Sequence, residues 1–279
     1  MKKLLAFGLA AMLLVSAIGL AGCGSKKADT GSTGTTDTTT TKLPAAVQKI
    51  KDAGKLKVGV KIDVPGFGLK NPQTGKQEGL EADMARQLAE RMGLKADQVE
   101  FTPVTAETRG TLLDNGQIDM VIATFTIKPD RLEKWNFSDP YYTDAVGLLV
   151  EKKSGYTDLK SLAGKTIGVA QGATTKDAVQ KEADKLGITV KFSEFQTYPE
   201  ISTALKAGKV DAFSVDRSIL AGYLDKDRQI LPDKFSPQDY GIATKKTNTE
   251  LANWVNEYVS EIKGNGELAK MLAKYNLDK

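Results

Sequence analysis

The sequence predicts an α/β protein built as two similar lobes, and three observations predict it. Beyond residue 42, short β-branched runs alternate with helical stretches, the pattern of α/β architecture. That alternation runs twice along the chain. Within it, Leu113-Asp114-Asn115-Gly116-Gln117-Ile118-Asp119-Met120 parallels Leu205-Lys206-Ala207-Gly208-Lys209-Val210-Asp211-Ala212, and Gly54-Lys55 before Val58-Gly59-Val60 parallels Gly164-Lys165 before Ile167-Gly168-Val169. A single helix-stop-strand connection of this kind serves any α/β protein. Its repetition with matched flanks points to internal duplication.

In the first half a helix is expected over 44–53, with Pro44 at its start and Gly54 at its end, followed by a strand over 57–60. Residues 81–92 place Met84, Ala85, Leu88, Ala89 and Met92 on one helical face and stop at Gly93. A strand over 99–104, a helix over 108–115 closed by Asn115-Gly116, and a buried strand over 119–123 follow. The second half reads as a strand over 165–170, a helix over 175–186 stopped by Gly187, a strand over 189–192, a helix over 199–207 and a strand over 210–214. Helices over 249–262 and 267–275 close the chain. The lobes are expected to be 43–147 with 241–279, and 148–240, joined by paired crossings at 145–150 and 239–244. Counting on from the shared glycine, Thr124 falls opposite Asp216, each just past the carboxyl end of a buried strand, where open α/β sheets hold ligands. Two lobes with facing strand ends enclose a cleft.

The first residues carry an address. Lys2 and Lys3 precede an uncharged, mostly apolar run that ends in Leu20-Ala21-Gly22-Cys23. This reads as a secretory signal over 1–22, although the run is long enough to be an anchor helix. A lone cysteine is otherwise odd in an exported protein; here it resembles the lipobox of bacterial lipoproteins, which implies that Cys23 is lipidated and holds the chain to the membrane, at the cell surface or in the periplasm. Residues 23–42 contain no large apolar side chain beyond Cys23 and read as a flexible tether. About 20 residues of random coil span roughly 25 Å, enough to hold a folded body just off a surface.

Composition excludes several function classes. The chain has 279 residues and a formal net charge of +4, of which two charges belong to Lys2 and Lys3. No basic run exceeds two residues, so the clustered face of a nucleic-acid binder is missing. There is no histidine and a single cysteine, which removes Ser-His and Cys-His nucleophiles and histidine-based zinc sites. A carboxylate or lysine acid–base pair remains open. Asp225 and Asp227 lack the glycine and distal glutamate of a calcium loop, so neither a metal nor a cofactor is expected.

Taken together and in order, Val58-Gly59-Val60, Gly79-Leu80-Glu81-Ala82-Asp83, Ile122-Ala123-Thr124-Phe125-Thr126-Ile127 before Arg131, and Phe137-Ser138-Asp139-Pro140-Tyr141-Tyr142 resemble the family-3 extracellular solute-binding proteins of polar amino acid ABC importers, over about 49–275. The resemblance implies a type II periplasmic-binding-protein-like fold, closure about a hinge, an importer permease as partner, a monomer, and no enzymatic activity. In the family the arginine at position 131 holds the ligand's α-carboxylate; without the motif, Arg131 would be a first-turn arginine of a surface helix. Asp216 is the candidate for the ammonium, or else a helix N-cap. Thr174 and Thr175 open a helix whose N–H groups attract a carboxylate. Lys61, Arg109 and Thr124, most similar to the aspartate/glutamate branch, are expected to bind a side-chain carboxylate, with Thr126, Phe67 and Tyr198 also in the binding set. Glutamine or another polar amino acid is the alternative, a dehydratase on the same fold the remote one.

Overall fold

The computed structural model describes residues 42–278. The expected signal, Cys23 and almost all of the tether lie outside these residues. Helix α1 (Ala45–Asp52) precedes β1 (Leu56–Val60), a small antiparallel sheet of β2 (Asp63–Val64), β3 (Gly68–Lys70) and β4 (Gln77–Glu78), and α2 (Leu80–Arg91). Then come β5 (Val99–Pro103), α3 (Thr108–Asp114), β6 (Met120–Val121), α4 (Pro129–Leu132) and β7 (Trp135–Phe137). The second part runs through β8 (Tyr142–Glu151), β9 (Thr166–Ala170), α5 (Thr175–Lys185), β10 (Lys191–Phe195), α6 (Tyr198–Lys206), β11 (Ala212–Asp216), α7 (Arg217–Ala221), β12 (Arg228–Ile230) and β13 (Phe235–Tyr240). The chain returns with β14 (Ala243–Lys245), α8 (Thr249–Gly264) and α9 (Glu267–Lys274).

One lobe is organised on a sheet of order β5-β1-β6-β14-β7, the other on β10-β9-β11-β8-β12 with β13 also paired to β8. The duplication seen in sequence reappears in register. Val58 and Gly59 sit opposite Met120 and Val121 in one sheet, and Ile167 and Gly168 sit opposite Ala212 and Phe213 in the other. The two central glycines answer the same constraint. A Cβ on Gly59 would stand 2.6 Å from Ile118, and one on Gly168 would stand 2.6 Å from Ile201 and 3.3 Å from Val210, the counterpart of Ile118. Helices cover the sheets with apolar faces, as α2 does with buried Leu80, Met84, Ala85, Leu88 and Ala89. Helix α6 opens with a capping box in which the Thr197 hydroxyl accepts from Glu200 N and the Glu200 carboxylate accepts from Thr197 N.

The chain changes sheets earlier than expected. β8 is one continuous strand from Tyr142, so the anticipated crossing at 145–150, and the lobe limit after residue 147, fall inside it; the change lies between Phe137 and Tyr142. Residues 142–146 look polar in sequence yet pair with β13, whose own Pro237-Gln238-Asp239 gives no strand signal. The return passes through Gly241 and Ile242, within the expected 239–244. Both crossings are bonded to each other: Tyr141 N donates to Tyr240 O at 2.9 Å and Ser138 N to Ile242 O at 2.9 Å. Among the described residues no helix is long and apolar enough to cross a membrane.

Candidate functional site

Four strand ends converge where the lobes meet. Lys61 directly follows β1, Thr124 follows β6, the Gly172–Thr174 turn follows β9, and Asp216 ends β11. These are carboxyl ends of parallel strands, the ligand side of such sheets. Buried here are Lys61 (2% exposed), Arg109 (3%), Thr124 (4%), Thr126 (6%), Arg131 (6%), Tyr198 (4%) and Asp216 (5%), with Thr175 alongside. Charges are seldom this buried unless paired, which makes their partners the informative part.

Arg131, on α4, is no surface arginine. One guanidinium nitrogen donates to Thr126 O at 2.9 Å and the other reaches across the cleft to Gly172 O at 3.1 Å. Arg109, in the first turn of α3, donates from Nη1 to Ala123 O (2.7 Å) and Thr124 O (3.1 Å). Its Nε has no hydrogen-bond partner among the described residues. Both guanidinium groups stand near the Phe125 ring, 4.0 Å from its centroid for Arg109 and 4.8 Å for Arg131, a favourable cation–π arrangement. Burial, and next to it the Arg109 charge, bring the Arg131 guanidinium down to about 9.

Lys61 does not stand free. Its ammonium lies 3.1 Å from the Asp63 carboxylate and 4.4 Å above the Tyr198 ring. Burial lowers its pKa, and Asp63 opposes that. Asp63 also accepts from Tyr198 N at 3.4 Å, and its carbonyl accepts from the Tyr223 hydroxyl at 2.6 Å, so this segment ties the two lobes together.

Asp216 precedes α7 but does not cap it. The helix is capped by Asp144 of β8, whose Oδ2 accepts from Ser218 N at 2.9 Å. Asp216 instead accepts from the Tyr240 hydroxyl through Oδ2, while Oδ1 has no hydrogen-bond partner among the described residues. Burial pushes its carboxyl up to about 7, against the pull of the Tyr240 hydroxyl and of Arg109 and Arg131. Thr174 likewise makes no cap bond with its side chain. Its hydroxyl and that of Thr126 both donate to Gln238 Oε1, at 2.7 and 2.9 Å, which bridges the lobes beneath the cleft. Phe67 is fully buried, its ring 5.0 Å from Tyr142 and 5.8 Å from Tyr240; it packs in the seam behind the site.

Sequence reasoning missed Asp63, Glu81, Gln238 and Tyr240. Glu81 lay in a quoted motif, but its fully buried carboxylate, which accepts from Thr124 N and the Tyr141 hydroxyl, had no local signal. Among the described residues no group of three or more acidic or cysteine side chains could hold a metal ion.

Comparison with known proteins matches this architecture. The chain is 39% identical over 242 residues to the "Glutamine-binding protein" of Geobacillus stearothermophilus, covering 85% of this chain and 91% of that one. It is 36% identical over 278 residues to the "ABC transporter glutamine-binding protein GlnH" of Bacillus subtilis, covering 99% and 97%. A solved ancestral arginine-binding protein bound to arginine superimposes with a TM-score of 0.72 at 34% identity, over 80% of this chain and 98% of that chain. A profile of the bacterial extracellular solute-binding proteins, family 3, spans residues 56–278, and the chain belongs to that family.

Proposed function

We propose that the cleft binds a free polar α-amino acid by closure of the two lobes and presents it to the permease of an ABC importer. One observation carries this reading: Arg131 from one lobe and Asp216 from the other are buried, oppositely charged and close to the same seam, the pair a zwitterion requires. Arg131 would take the α-carboxylate and the free Oδ1 of Asp216 the ammonium, with the Thr174–Thr175 turn beside them. Both relatives described above are glutamine-binding proteins, which supports transport over catalysis.

Glutamine is the favoured ligand. The cations that would receive a side-chain carboxylate already face carboxylates within the protein: Lys61 lies 3.1 Å from Asp63, and Arg109 faces the buried Glu81. An acid in place of the amide would bring a charge with little left to neutralise it. The acidic ligand is the second reading, favoured by Arg109 Nε and the Thr124 hydroxyl, which lack hydrogen-bond partners among the described residues. Calorimetric titration with the common amino acids tests both. Glutamine should bind most tightly and glutamate next; glutamate first would restore the acidic reading, and no binding at millimolar concentration would remove the amino-acid reading.

Cys23 is proposed to be the lipid attachment point of an exported protein. Cys23→Ser should move the protein from the membrane to the soluble fraction with ligand affinity unchanged. A variant that fractionates like wild type would count against the anchor.

A further inference from the structure

Thr124 is held in an unusual state. Its φ of 44° is left-handed, a region that a β-branched residue enters only when its surroundings fix it. Two contacts hold its backbone from opposite sides. Thr124 N donates to Glu81 Oε1 at 2.5 Å, and Thr124 O accepts from Arg109 at 3.1 Å. The Tyr141 hydroxyl donates to the same Glu81 oxygen at 2.7 Å. Glu81 sits in the first turn of α2, wholly buried. Its Oε2 has no hydrogen-bond partner among the described residues and lies 3.3 Å from where a Cβ on Gly68 would stand. Gly68 in β3 answers first to the Lys61 carbonyl, 2.6 Å from that point, and leaves the carboxylate its room as well.

We propose that Glu81 is a positioning and specificity-determining residue of the cleft: from behind Thr124 it fixes that residue's left-handed backbone and supplies the negative charge that Arg109 would otherwise draw from the ligand. The inference rests on the amino-acid-binding reading and deepens it. The charged and titratable groups facing Glu81 are Tyr141 before β8, Arg109 on α3 and Lys61 after β1, with Thr124 N–H completing the set. With Glu81 ionised, its charge offsets a cation and a neutral amide side chain is accommodated. With Glu81 neutral, the side-chain end gains one net positive charge and favours an acid. Burial pushes this carboxyl up to about 7, against the Tyr141 and Thr124 hydrogen bonds and the Arg109 and Lys61 charges, so the change falls in an accessible pH range.

The test is calorimetry with glutamine and glutamate at pH 6 and 8.5 on wild type, Glu81→Gln and Glu81→Ala. The glutamine variant keeps an acceptor oxygen for Thr124 and Tyr141 and removes only the charge. At pH 8.5 it should shift the ratio of the two dissociation constants at least tenfold toward glutamate, whichever ligand the wild type prefers. The wild-type ratio should move the same way from pH 8.5 to 6, and that dependence should vanish in Glu81→Gln. Asp216 titrates in the same range but faces the ammonium common to both ligands, so it cancels in the ratio. Glu81→Ala should weaken both ligands at least tenfold; if it fails to fold, the ratio in Glu81→Gln still decides. An unchanged ratio in Glu81→Gln overturns the proposal, while a wild type that binds neither ligand overturns the functional reading beneath it.

Discussion

Gly172 is where closure can be tested with one methyl group. Its φ is +69°, and a Cβ there would stand 2.5 Å from Glu107 Oε2, 2.7 Å from Glu107 Cα and 2.9 Å from Glu107 N. The carboxylate can swing away, but the backbone of the opposite lobe cannot. Restoring ordinary contact of about 3.5 Å therefore requires the lobes to part by roughly 1 Å at this point. That stretches the bond from Arg131 to Gly172 O, now 3.1 Å, to about 4 Å, beyond hydrogen-bonding range. A hydrogen bond involving a charged group contributes about 1.5–3 kcal/mol, so Gly172→Ala should weaken binding about ten- to a hundredfold. The left-handed backbone adds about 1–2 kcal/mol in the open and closed forms alike, lowering the ligand-free melting temperature by about 2–8 °C without affecting affinity. Titration calorimetry reads the first effect and a melt without ligand reads the second. A lowered melting temperature with unchanged affinity would show that binding does not need this approach of the lobes.

Two further outcomes follow from the site. Arg131→Ala removes the guanidinium proposed for the group every amino acid shares, and should weaken glutamine and glutamate alike by more than a hundredfold in the same titration; a loss confined to one ligand contradicts that assignment. Asp216 provides a pH test. Its folded value of about 7 lies above the ordinary 3.8, so the stabilisation it gives is complete below about pH 4 and is lost as pH rises through about 7. Without ligand, wild type should lose melting temperature relative to Asp216→Asn over that interval, and a saturating amino acid should reverse the order at pH 8. A constant difference between the two proteins from pH 4 to 8 would contradict a carboxyl whose pKa is raised by burial.

The lobes were legible because the glycines at 59, 116, 168 and 208 mark a repeated unit that survives in register. Arg109 and Arg131 were singled out by the motifs around them and Asp216 by its place at the end of a strand, and all three lie buried at the seam. The β2–β4 sheet was not, since strands of two or three residues carry no periodicity. The strand expected over 189–192 lies at Lys191–Phe195 instead, where pairing with Thr166–Ala170 fixes it over the β-branched Thr189-Val190. Lys61 was expected to await a ligand carboxylate, and its pairing with Asp63 was not foreseen, because a charged pair two residues apart reads as ordinary surface. The Glu81–Thr124 bond joins residues 43 apart in sequence; only the tertiary approach of α2 to the loop after β6 creates it.

The position of β14 bears on how the molecule is made. It lies between β6 and β7, so one sheet waits for residues 243–245, nearly at the end of the chain, before its strands can join. The other sheet is contiguous, drawn wholly from residues 142–240. On a chain that emerges amino end first, the inserted lobe has all its strands available while the lobe that began earlier is still split in two, its β1–β6 half exposing an unpaired edge. Long-range pairing of this kind is slow and leaves aggregation-prone surface exposed meanwhile. The expected late step of biogenesis is the docking of this last strand, with α8 and α9 behind it, into the gap between β6 and β7, and substitutions at Ala243 or Thr244, remote from the chemistry of the cleft, should reduce the yield of folded protein more than the affinity of what does fold.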